Sequence, residues 1–201
     1  MPARPAPSDP TRFDDGYYRR FYGRDGAHDQ ARVDHLATAV HHMAAWWGIR
    51  IRTVLDVGAG IGFWRDWYRD QHPGVRVRSV DISEHACATW GHERRDIAEW
   101  RPPSRFDLVI CHSVLQYLDD EQVVRAIDHL AGATRGLLYL ELPTKSDLRD
   151  LVDPTGTDLE VHHRTGRWYR NHLGLHLRQV GAGLWVPRDG VAMYELEAAA
   201  P

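Results

Sequence analysis

The 201-residue sequence is short of lysine, of cysteine and of long apolar runs, and each shortage excludes something. Lys145 is the only lysine, so 24 of the 25 basic side chains are arginine. This reads as base composition before it reads as function. Cys87 and Cys111 are too few for a disulfide framework and fit a reducing, cytoplasmic compartment. No 18-residue apolar run is present, so no membrane span is expected. The first ten residues contain four prolines and no apolar stretch, so no secretory signal is expected there. A formal net charge of -3 provides no basic field for a phosphate backbone, so no nucleic-acid partner is expected. There is no C-x-x-C pair. The adjacent His162 and His163 would face opposite ways on a strand, so no metal site is expected.

What is present is a globular composition, 43% hydrophobic and 26% charged, in a length suited to one core. The thirteen histidines make the charge sensitive to pH between about 5 and 7. Residues 1–10 read as a loose tail, and 11–48 as an N-terminal helical cap. The cap opens with the aromatic cluster Phe13, Tyr17, Tyr18, Phe21 and Tyr22. It continues with a helical stripe, Val33, Leu36, Ala37, Val40, Met43, Ala44 and Trp47, over 29–47. From residue 49 to 201 short apolar runs alternate with helical patterns. Strands are predicted at 53–57, 75–81, 92–95, 106–111 and 137–142, and helices at 63–71, 83–90, 119–132 and 168–175. Ser83 and Asp119 are placed as N-caps, with Gln122 completing a capping box. Residues 143–167 read as a polar excursion. The segments 178–186 and 191–197 read as two strands joined by a turn at 187–190. Alternation of this kind specifies an α/β fold, a doubly wound and mostly parallel seven-stranded sheet covered on both faces, closed by an antiparallel C-terminal hairpin.

The segment Val54, Leu55, Asp56, Val57, Gly58, Ala59, Gly60, Ile61, Gly62, Phe63 follows a strand and opens a helix. Glycines there let the backbone approach a ligand, and Asp81, 25 residues past Asp56, stands where an acid reaches ribose hydroxyls. The spacing is G-x-G-x-G. Phe63 stands where a dinucleotide fingerprint wants glycine or alanine, so a pyrophosphate is disfavoured. With no Tyr-x-x-x-Lys pair either, a nicotinamide-dependent oxidoreductase is the weaker enzyme reading.

Together with Val80, Asp81, Ile82, Ser83, then Arg95, Asp96, Ile97, then Phe106 to Cys111, this loop resembles the Rossmann-like (class I) S-adenosylmethionine-dependent methyltransferases over residues 50–142. The resemblance implies that Gly58, Ala59, Gly60, Gly62 and Phe63 hold the methionine part of S-adenosylmethionine and that Asp56 orients its ammonium. It implies that Asp81 binds the ribose, Ile82 packs on the adenine, and Asp96 and Ile97 meet the adenine edge. Cys111 and His112 would line the sulfonium end, with Tyr18 and Tyr22 as a cover.

On the acceptor side, His112 and His163 are the candidate bases, and Arg164, Trp168 and Tyr169 the candidate substrate contacts. An Arg–aromatic pair inside the protein is the competing reading of the last three. No Asn-Pro-Pro-Tyr or Asp-Pro-Pro-Tyr follows the fourth strand, which turns the expectation toward a small-molecule acceptor, taken from the 143–167 side. A non-catalytic cofactor-binding regulator remains as the other reading, and a homodimer is left open.

Overall fold

The structure, a computed structural model, describes residues 6–22 and 29–199. Residues 1–5 of the expected tail lie outside the described residues.

Seven strands form one sheet in the order β3-β2-β1-β4-β5-β7-β6. They are β1 (Thr53–Val57), β2 (Arg76–Asp81), β3 (Glu93–Arg94), β4 (Phe106–His112), β5 (Thr134–Glu141), β6 (Leu177–Gly181) and β7 (Leu184–Pro187). β1 through β5 pair in parallel, and β7 runs antiparallel to both β5 and β6. The helices are α1 (Asp15–Phe21), α2 (Gln30–Trp46), α3 (Phe63–Gln71), α4 (Glu84–Trp90), α5 (Asp120–Ala133), α6 (Lys145–Asp150) and α7 (Gly166–Leu173).

The central strands are apolar almost without break because both faces are covered. Leu55, Val57, Val109, Cys111, Leu138 and Leu140 point to one side, against Val123, Ile127 and Leu130 of α5 and Leu173 of α7. Val54, Leu108, Ile110, Leu137 and Tyr139 point to the other, against α2 and the Trp64, Trp67 and Tyr68 face of α3. The α2 stripe is only partly buried: Val33, Ala37, Val40 and Ala44 are inside, while Met43 is exposed. The alternation of faces is the two-residue period of a strand. Asp107 ties the sheet at the strand starts, accepting from the Arg52 and Thr53 N–H groups at 3.0 Å each and pairing with Arg135 at 2.8 Å.

Local caps set the helix starts. Ser83 accepts from Ala86 N–H at the head of α4, and Asp119 and Gln122 form a reciprocal box at the head of α5. Such caps contribute about 1 kcal/mol each.

The closing hairpin differs from the expectation. Its turn lies at Gly181, Ala182 and Gly183, with φ of +121°, +48° and +76°, not at 187–190. A tight hairpin turn needs this left-handed backbone, and the two glycines supply it. The turn at 187–190 does form, with Gly190 N–H donating to the Pro187 carbonyl, but it ends β7. Residues 191–197 are a loop with one short helical turn at Glu195–Glu197, because β7 is already flanked by β5 and β6.

β1 connects onward to β2 on one side, and its other neighbour β4 connects onward to β5 on the far side, so the connections leave the carboxyl ends of β1 and β4 in opposite directions. That divergence opens the crevice in which open α/β sheets bind ligands.

Candidate functional site

The loop between β1 and α3 carries three left-handed glycines, Gly58, Gly60 and Gly62, at φ +68°, +59° and +93°. The Gly58 and Ala59 N–H groups donate to the Val80 carbonyl at 2.9 and 3.1 Å, which binds the loop to the end of β2. A Cβ at Gly58 would lie 2.2 Å from the Val114 side chain, and one at Gly60 would lie 3.2 Å from the Tyr22 hydroxyl. Gly58 therefore excludes a side chain through both strain and space, and Gly60 through strain.

Two buried acids face this loop. Asp81 accepts from the Gly60 N–H and the Ser83 N–H, both at 2.8 Å. Burial raises its pKa, and these backbone bonds oppose the rise. Asp56 is 2% exposed, and its Oδ2 has no hydrogen-bond partner among the described residues. Burial, then the neighbouring Asp81, pushes its pKa up to about 7. A buried, unsatisfied carboxyl oxygen beside a left-handed glycine loop suits the cationic end of an amino-acid-bearing ligand.

The aromatic segment lies over both acids. Tyr17 and Tyr117 hydroxyls are 2.8 Å apart, Phe13 meets Tyr117 edge-on at 5.0 Å, and the Phe13 carbonyl accepts from Ser83 Oγ at 2.6 Å. Tyr18 packs on Trp90 at 4.9 Å, and burial followed by Asp81 raises its pKa. Tyr22 approaches Phe63 at 6.2 Å. The space beneath is small. One chamber of about 50 Å³ is lined by Tyr18, Tyr22, Gly58, Gly60, Asp81 and Ile82 among others, and one of about 20 Å³ by Tyr22, Asp56, Gly58, Ala59, Phe63 and His112 among others.

Asp96 and Ile97 line neither chamber. The Asp96 carboxylate accepts from the Ala98 N–H at 2.8 Å and caps a turn, and the Ile97 carbonyl accepts from His129 Nδ1–H at 2.7 Å. Cys111 is buried in the core on the α5 side, and burial pushes its thiol pKa up.

His112 ends β4 beside Glu141, its register partner at the end of β5. Their Nε2 and Oε2 atoms are 2.7 Å apart, and Trp64 Nε1–H donates to His112 Nδ1 at 3.3 Å. With Nδ1 accepting, the neutral ring carries its proton on Nε2 and donates it to Glu141. Both ring nitrogens are thus engaged, and the geometry gives His112 the work of orienting Glu141 rather than of taking a proton. Both residues line a cavity of about 720 Å³ together with Asp29, Arg32, Asp153 and others.

The remaining acceptor-side residues are elsewhere. His163 is exposed and does not line this cavity. Arg164 is 7% exposed, pairs with Asp120 at 2.7 Å, donates to the Leu118 carbonyl at 2.6 Å, and lies 5.1 Å from the Trp168 ring centroid. Tyr169 is buried against it, 3.3 Å from Nη1. These three residues brace the start of α5 against α7. Glu141 escaped the sequence reading, although it is the one charge in the run Leu137, Leu138, Tyr139, Leu140, Glu141, Leu142.

This cleft, at the carboxyl ends of β1, β2 and β4, has the form of a nucleoside-cofactor site in a doubly wound sheet. The methyltransferase-domain family model matches residues 27–192, and the chain belongs to that family. No curated protein matches it. Solved structures share its fold. The PH0226 protein from Pyrococcus horikoshii OT3 is 15% identical with a TM-score of 0.64, covering 87% of this chain and 99% of that one. The N-methyltransferase NodS from Bradyrhizobium japonicum WM9, in complex with S-adenosyl-L-homocysteine, is 17% identical with a TM-score of 0.59, covering 88% and 99%. The plantazolicin methyltransferase BpumL, bound to a pentazolic desmethylPZN analog and the same product, is 14% identical with a TM-score of 0.61, covering 82% and 68%. The protein is an S-adenosylmethionine-dependent methyltransferase. No helix among the described residues is long and apolar enough to cross a membrane.

Proposed function

We propose that this methyltransferase acts on a small-molecule acceptor held in the cavity at the ends of β4 and β5. The carrying observation is a shared wall. His112 lines both the large cavity and the chamber of Asp56, Gly58 and Ala59, so a ligand in one abuts a ligand in the other. The volume of about 720 Å³ falls in the range of small-molecule pockets, roughly 300–1,000 Å³. S-Adenosylmethionine, when bound, supplies an electrophilic methyl group on a sulfonium. In this reading Gly58, Ala59, Gly60, Gly62 and Phe63 receive its methionine part, and Asp56 its ammonium. Asp81 receives the ribose, Ile82 the adenine face, and Asp96 with Ile97 the adenine edge. Residues 11–22 act as a cap over the cofactor cleft, while α2 packs on the sheet as part of the core. The chain's own work is to align the acceptor and to exclude water.

The test is incubation with methyl-labelled cofactor and a cell extract, followed by separation by mass. Label is expected in the low-mass fraction. Label confined to protein or nucleic acid would overturn the reading.

A further inference from the structure

We infer that the large cavity takes an acceptor whose nucleophile is a basic nitrogen, a primary or secondary amine, which Glu141 steers and relieves of its proton. The inference deepens the proposed function and rests on it.

The first observation is the charge of the walls. Among the described lining residues, Asp29, Glu141 and Asp153 face a single guanidinium, that of Arg32. Asp29 and Asp153 each hold a backbone N–H, those of Ala31 and Thr155 at 2.8 Å, so they contribute through their field. An anionic acceptor meets like charge there, whereas a cationic one is drawn in.

The second observation is independent of charge. Gln116 is 3% exposed, and its Oε1 has no hydrogen-bond partner among the described residues. It lines a chamber of about 40 Å³ that shares Ser113, Pro143, Gly156 and Thr157 with the large cavity. A buried amide oxygen without a donor is costly, and a ligand that brings an N–H or O–H satisfies it directly or through a water. A carboxylate brings neither.

The third observation is the His112–Glu141 pair. Trp64 fixes the imidazole, the imidazole holds Glu141 Oε2, and the Glu141 side chain remains 47% exposed while lining the cavity. An amine enters as an ammonium, whose lone pair is occupied. One N–H bond breaks, its electron pair stays on nitrogen, and the proton forms an O–H bond on Glu141 before passing to water at the mouth. A carboxylate so placed relays the proton to water, and the methyl transfer that follows draws the unfavourable step forward.

The test uses the protein saturated with S-adenosylhomocysteine at pH 8 and three probes of one shape, benzylamine, benzyl alcohol and benzoate. Dissociation constants come from nuclear magnetic resonance titration, with the His112 ring signals as site reporters. Benzylamine is expected to bind at least about tenfold tighter than the other two and to shift His112, as a charge-assisted bond implies. Glu141→Gln should lose about tenfold for benzylamine and leave the benzyl alcohol and S-adenosylhomocysteine constants unchanged. Glu141→Asp, which keeps the charge, should recover part of the loss. Equal or tighter binding of benzoate or benzyl alcohol by the unaltered protein would overturn the amine and leave the small-molecule reading standing. So would undiminished benzylamine binding by Glu141→Gln. If none of the probes shifts His112 while S-adenosylhomocysteine binds, both readings fall.

Discussion

Asp56 concentrates the energetic cost of the cleft in one atom. Its Oδ2 is buried without a partner, and burial with Asp81 nearby pushes the carboxyl to a pKa of about 7. At pH 6 the group is therefore mostly protonated in the free protein. A ligand that brings an ammonium group against it reverses the preference, because an adjacent cation favours the charged carboxylate. Binding of S-adenosylhomocysteine at pH 6 should thus release on the order of one proton from Asp56. Calorimetry in two buffers of different ionisation heat measures that number directly. Asp56→Asn should abolish the release, and a proton count of zero in the unaltered protein would show that the ammonium binds elsewhere.

At the scale of elements, α1 and the site compete for the same space. Phe13, Tyr18 and Tyr22 leave chambers of about 50 and 20 Å³ beside Asp81 and Asp56, far below the roughly 300 Å³ of a small-molecule pocket. On the proposed placement of the cofactor, helix α1, which carries Tyr17, Tyr18 and Phe21, has to shift to admit it, as a lid does. Tyr22→Ala, which clears the approach to Gly60, should raise both the association and the dissociation rate of S-adenosylhomocysteine several-fold. Stopped-flow mixing on tryptophan fluorescence would detect it, and unchanged rates would mean that the aromatic segment does not gate the cleft.

The elements legible in the sequence are those fixed by neighbours along the chain. The apolar β1 and β4, the glycine loop and the caps at Ser83 and Asp119 each rest on residues within a few positions. The hairpin differs from the expectation because turns form at both 181–183 and 187–190, and which of them joins two strands depends on a distant strand, β5. The partners of Arg164 and His112 were equally hidden. Asp120 and Trp64 lie 44 and 48 residues away in sequence, and no local pattern announces them.

For the molecule as a whole, stability against pH is a contest between buried carboxyls and mostly half-buried imidazoles. On the α2–α3 side, His41 stacks on His72 at 3.8 Å, and burial, then His72 and His42, lowers its pKa from 6.5 to about 4. Burial, foremost, also lowers His72, His92 and His162. Between pH 4 and 6.5 the unfolded chain therefore binds more protons at His41 than the folded one. Its contribution grows as pH rises through that window and is lost as pH falls. Asp56 works the other way. From its ordinary 3.8 up to about 7 the folded state holds the extra proton, so its contribution falls as pH rises. Asp81, also raised, adds to that side. The two trends offset one another in the free protein, and the midpoint temperature should change little between pH 4.5 and 6.5. Asp56→Asn weakens the opposing trend, leaving only the part from Asp81, so its midpoint should rise with pH across the window. His41→Gln should instead fall with pH. Thermal melts of the three proteins at half-unit pH steps decide the matter. Parallel profiles for all three would show that neither group titrates with folding.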